Sequence, residues 1–145
     1  MSPPLETFLR LGAAERRCFL QALFLMPVVH VAVRLIGLKG VQRRLAGRVK
    51  RSSHGAAAAR DAAARTAWLV GAARRRVRLL GVNCLSEALV LDWLLRRQGL
   101  ASELRLGVRQ SECGLEAHAW VEHAGQALGR REPGDAFRVL ERAVE

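Results

Sequence analysis

Residues 83–110 read NCLSEALVLDWLLRRQGLASELRLGVRQ, and a change of period inside this stretch decides the fold. Leu85, Ala88, Leu89, Leu91, Leu94 and Leu95 recur at helical spacing, which predicts a helix with one broad apolar face from Cys84 to about Gln98. Asp92 and Arg96 stand four apart and can pair. Gly99 supplies the stop. Beyond it the period falls to two. Leu104, Leu106 and Val108 alternate with Glu103, Arg105, Gly107 and Arg109, so a strand is predicted from about Ser102 to Arg109.

Downstream, Gln110 to Glu116 reads as a polar loop and His118 to His123 as a second strand. Ala124-Gly125 reads as a tight turn, Gln126 to about Arg130 as a third strand, and Gly129 to Asp135 as a loop. Phe137 to Val144 fits a last short helix or strand. Upstream, Ala13 to about Ile36 predicts a long helix kinked at Pro27, with Gly37 and Gly40 at its end. Val41 to Val49 continues as a basic amphipathic segment. Lys50 to Gly55 (KRSSHG) is the best linker candidate. Ala56 to Arg78 is Ala- and Arg-rich and favours helix, with Trp68, Leu69 and Val70 as its expected buried centre. Helices followed by a helix and an antiparallel meander make an α+β chain. The expected division is a helical region over 1–50 and a core over 51–145, folded as one unit.

The chain has 145 residues and a formal net charge of +11, with arginines in runs such as Arg43-Arg44 and Arg74-Arg75-Arg76. That charge favours acidic partners, but no nucleic-acid-binding motif accompanies it. The three cysteines, Cys18, Cys84 and Cys113, form no disulfide framework and no CxxC. They point to a reducing, cytoplasmic compartment. No secretory signal pattern opens the chain. The apolar run Cys18 to Val33 falls short of the roughly 20 residues of a span. It reads as a buried helix or one lying on a membrane surface, since basic residues flank it.

The chemistry lies in Cys84 and in Ala117-His118-Ala119-Trp120-Val121-Glu122. A thiol at a helix start meets the positive end of the macrodipole and free N–H groups, which favour the thiolate and can hold an oxyanion. Asn83 is placed to cap that helix. His118 opens a strand and can serve as a base. Trp120 either walls the site or belongs to the core. A zinc site from Cys84, Cys113, His118 and His123 is disfavoured, because His118 and His123 fall on opposite strand faces and the cysteines are not closely paired. If the hairpin turns at Ala124-Gly125, His123 faces Gln126 and His118 faces about Arg131. The nearest acids there are Glu132 and Asp135.

The run Asn83 to Leu89, then Leu94 to Leu100, Glu103 to Arg109, and Ala117 to Glu122 with Gly125 resembles the stand-alone leader peptidase, or B protein, of lasso-peptide biosynthesis. Phe24 to Leu45, with its step Arg34-Leu35-Ile36-Gly37, is similar to that family too. The resemblance implies a papain- or transglutaminase-like core in which a Cys-bearing helix packs on an antiparallel sheet. It implies a cysteine endopeptidase that removes the leader from a ribosomally made precursor, without metal or cofactor. Cys84 matches the nucleophile and His118 the base. The family acid stands roughly a dozen positions after the histidine, where this chain has Arg130. A two-residue insertion, Arg130-Arg131, brings Glu132 into that slot. The implied partners are the precursor's leader, a separate small leader-recognition protein and an ATP-dependent macrolactam synthetase. Peripheral membrane contact is compatible with the basic surface; nucleic acid is not expected. Two rival readings are a non-catalytic assembly subunit of the same fold and a basic membrane-surface or nucleic-acid-binding module.

Overall fold

Helix α1 spans Ala13–Leu45 in the computed structural model, which describes residues 9–46, 53–129 and 137–140. Helix α2 follows at Ala56–Val77, extended by a 3-10 turn at Arg78–Leu80, and α3 spans Cys84–Arg97. Strands β1 (Glu103–Ser111), β2 (Gly114–His123), β3 (Gln126–Leu128) and β4 (Arg138–Leu140) form one antiparallel sheet in the order β3-β2-β1-β4. The chain is α+β.

One face of each helix builds the core. Cys18, Ala22, Met26 and Val29 of α1, Ala63, Leu69, Val70 and Ala73 of α2, and Leu89, Val90, Leu94 and Leu95 of α3 form a single buried cluster. Leu104, Ala119 and Val121 complete it from the sheet. Small residues on α2 let the helices approach closely. Leu104 and Leu106 lie across from Val121 and Ala119, so these four share the face turned to the helices. Arg105, Gly107, His118, Trp120 and Glu122 share the opposite face, by the strict alternation of a strand.

Three sequence expectations change. Helix α1 does not break at Pro27. Its one non-helical residue is Gly37, at φ 73 and ψ 170. Proline costs one backbone hydrogen bond but holds a helical φ, whereas only glycine reaches this backbone region without strain. The loop expected at Gln110 to Glu116 is mostly strand: β1 and β2 pair from Glu103↔Glu122 to Ser111↔Gly114 around the turn Glu112-Cys113. Polar side chains there mark a solvent face, not a loop. Arg109 and Glu116 are cross-strand partners, with an ion pair of 2.6 Å. After Phe137 the chain takes the strand form of the two expected there, as β4, which pairs with β1. Trp68 is exposed, with the Arg65 guanidinium 4.9 Å over its ring, while Leu69 and Val70 are buried.

Cys18 is buried in the helical core. Burial pushes its thiol up to about 11, with a smaller contribution from the negative charge of Glu15. Because the folded value lies above that of an ordinary thiol, the folded chain holds the proton longer than the unfolded one. Stability is therefore full below about pH 9 and falls as pH rises toward about 11. Cys18→Ala should flatten this alkaline decline in pH-dependent melting curves. With iodoacetamide at pH about 8, where a free thiol is partly ionised, the exposed Cys113 should label in the native protein and Cys18 only in denaturant.

Candidate active site

Cys84 is the first residue of α3 and is half-buried against the apolar cluster. Asn83 caps the helix as expected. Its Oδ1 accepts from the Ser86 N–H at 3.0 Å and from the Ser86 hydroxyl at 3.0 Å. The Glu87 N–H reaches the Asn83 carbonyl at 3.3 Å. The Glu87 bond is the first regular helix bond, so of the four N–H groups left free by the helix start one, that of Ser86, is used by the cap. Those of Cys84 and Leu85 have no acceptor among the described residues and remain as donors for an oxyanion.

Two residues of this arrangement were not singled out from the sequence. Ser86 is almost wholly buried, and its Oγ lies 3.4 Å from His30 Nδ1 on α1. Since the hydroxyl proton goes to Asn83, the consistent tautomer has His30 Nδ1–H donating to Ser86 Oγ. A weak chain, His30 to Ser86 to Asn83, so ties α1 to the turn that presents Cys84. The signals were an Asn-x-x-Ser spacing at the helix start and a lone histidine within an apolar helix. Asn83→Ala should lower stability by about 1 kcal/mol for the lost cap and leave the Ser86 hydroxyl without its acceptor. A denaturant midpoint that stays put would refute this role; Asn83→Asp should retain most of the stability.

Glu87, in the first turn, pairs with Arg74 at 2.8 Å. Burial pushes its carboxyl above the usual range, and Arg74 and Arg75 pull it back only in part.

His118 is half-buried on the sheet face turned away from Ala119 and Val121. Its ring centroid lies 6.1 Å from that of Trp120, nearly parallel at 21°, and 5.5 Å from that of Phe137. Gly107 is its cross-strand partner. A Cβ at Gly107 would fall 2.8 Å from the Trp120 ring, so only glycine leaves room for the indole there. Trp120 is buried, and its Nε1–H donates to Glu122 at 3.0 Å. Arg105 lies between Glu122 at 3.2 Å and Glu103 at 2.8 Å. The Arg109 guanidinium sits 4.8 Å over the Phe137 ring. The histidine thus occupies an aromatic setting ringed by paired charges.

Cys84 lies on the helical side of the sheet, and His118 lies on the opposite face of β2 beside Trp120 and Phe137. Glu132, Asp135, Arg130 and Arg131 lie outside the described residues. The turn at Ala124-Gly125 is as expected, with φ of 51 and 77, and His123 pairs with Gln126. His123 is buried, with Nδ1 2.6 Å from the Ala101 carbonyl. Among the described residues no three of His, Cys, Asp and Glu gather as a metal site would require.

A family model described as the transglutaminase-like superfamily matches residues 25–142. The chain belongs to the transglutaminase-like superfamily. The matched span runs from within α1 to the end of the sheet and includes both Cys84 and His118. No curated protein and no solved structure matches the chain. Cysteine proteases are common in the transglutaminase-like superfamily, and membership fits a function of that general kind.

Proposed function

We propose that this chain is a cysteine endopeptidase that removes the leader from a ribosomally synthesised lasso-peptide precursor, ahead of macrolactam formation. The observation that carries the chemistry is Cys84 at the capped start of α3, in a superfamily where cysteine proteases are common. The lasso-peptide assignment rests on the sequence resemblance around Cys84 and His118.

In this reading His118 takes the Cys84 proton and Sγ attacks the scissile carbonyl. The N–H groups of Cys84 and Leu85 receive the oxyanion. Collapse expels the core peptide's amine, which takes the proton from His118, and leaves the leader as a thioester. Water, deprotonated by His118, then releases the leader acid and restores the thiol. Glu132 orients the imidazole. The proposed partners are a separate leader-recognition protein and an ATP-dependent macrolactam synthetase acting on the freed amine, in the cytoplasm.

One observation favours a second reading, a non-catalytic subunit of the same fold. His118 lies on the sheet face opposite Ala119 and Val121, which pack on the helices with Cys84. Mass spectrometry of precursor incubated with this protein and its recognition partner separates the two. Leader and core fragments cut at one bond support the peptidase; intact precursor, with the same chain still required for product in the full assembly, supports the subunit.

A further inference from the structure

Helix α1 is largely apolar between Leu20 and Leu35, broken only by Gln21, His30 and Arg34, and only one side of it is buried. Leu20, Phe24, Val28, Val31 and Leu35 recur at steps of four and three, so they form one stripe along the helix. All five are exposed, Phe24 by 71% and Leu35 by 78%. Cys18, Ala22, Met26 and Val29 point the other way, into the core. The stripe runs about 22 Å at 1.5 Å per residue. By length and composition α1 would suffice to cross a membrane, but its packed face holds it against the body of the protein.

The charges around the stripe choose its occupant. Arg16 and Arg17 precede it, and Arg34, Lys39, Arg43 and Arg44 flank or follow it. From Glu15 to Asp61 the chain carries no other acid and ten lysines and arginines. Glu15 itself is paired with Arg65 at 2.6 Å. Beside the stripe, a groove of about 640 Å³ lies between Phe24, Leu20, Arg17 and Trp93, with Arg97 held 4.7 Å over the Trp93 ring. An aromatic ring with a cation at the edge of an apolar stripe suits the level of lipid headgroups. A second copy of the chain is a poor occupant, because two bodies of +11 repel.

We propose that the outer face of α1 lies flat on an anionic lipid bilayer, with Phe24, Val28, Val31 and Leu35 inserted below the headgroups and the flanking arginines on lipid phosphates. This inference stands apart from the peptidase reading, since neither Cys84 nor His118 enters it. The test is co-sedimentation of the full chain with phosphatidylcholine vesicles, with or without about one third phosphatidylglycerol, at low and high salt. Binding is expected on anionic vesicles and at least about tenfold weaker on neutral ones. Phe24→Ser with Val31→Ser, and separately Leu35→Ser, should each weaken it about tenfold at fixed salt while melting is unchanged. Variants that bind like the wild type would reduce the interaction to adsorption of a basic protein and overturn the proposal. So would failure to bind anionic vesicles at low salt, or a dimer in solution that the serine variants dissociate.

Discussion

Cys84→Ala is expected to abolish precursor cleavage, a fall on the order of a thousandfold or more. The reason is chemical and local. Without Sγ no acyl-enzyme forms, and the helix-start N–H groups have no tetrahedral oxyanion to receive. The fold should survive, since Cys84 is only half-buried and Asn83 and Ser86 still close the cap. His118→Asn should fall by a similar amount with little effect on melting. The measurement is the rate of fragment appearance by mass spectrometry with the recognition protein present. Equal cleavage by wild type and Cys84→Ala would remove the thiol from the mechanism and with it the peptidase reading. Loss in Cys84→Ala but not in His118→Asn would keep the nucleophile and assign the base elsewhere.

Gly107→Val should be the most damaging single change in the sheet. The first carbon of any side chain there meets Trp120 ring carbons at 2.8 and 2.9 Å and Phe137 Cβ at 3.2 Å. The indole is buried and tethered to Glu122, so it cannot swing aside without losing that hydrogen bond. Overpacking of this kind costs about 1–3 kcal/mol, which for a chain of this size lowers the melting temperature by several degrees. Displacing Trp120 also shifts the ring stacked beside His118, so cleavage should drop beyond what instability explains. Gly107→Ala should show the same effects at smaller size. An unchanged melting curve for Gly107→Val would mean that the Trp120 ring is not confined as described.

Much of this architecture is legible in the sequence. The drop from helical to alternating period at Gly99 marks the passage from α3 to β1. The Asn83 cap and the Ala124-Gly125 turn are local chemistry, which sequence expresses directly. Long-range choices are less legible. Nothing near Phe137 says that β4 will pair with β1, because that register depends on the free edge of β1. The polar ends of the β1–β2 hairpin read as loop, since Arg109 and Glu116 satisfy each other only once the strands are paired. His30 was hidden because its partner Ser86 lies 56 positions away. The proposed acid rests on the hairpin register and the family resemblance, as Glu132 and Asp135 lie outside the described residues.

Gly37 carries one more consequence, and it concerns handedness. Its φ of 73 and ψ of 170 are close to the mirror image of an ordinary extended residue. Apart from its chain neighbours and its own helix backbone, no atom of the described residues lies within 4 Å of where a side chain would begin, so space does not demand glycine there. Chirality does: the position is built for a D-residue, and glycine is the one encoded amino acid that can act as one. Chemically ligated protein with D-alanine at 37 should keep the break and melt no lower than the natural chain, whereas Gly37→Ala, of L configuration, should strain it. If both isomers behave alike, the break is set by its surroundings and not by this backbone.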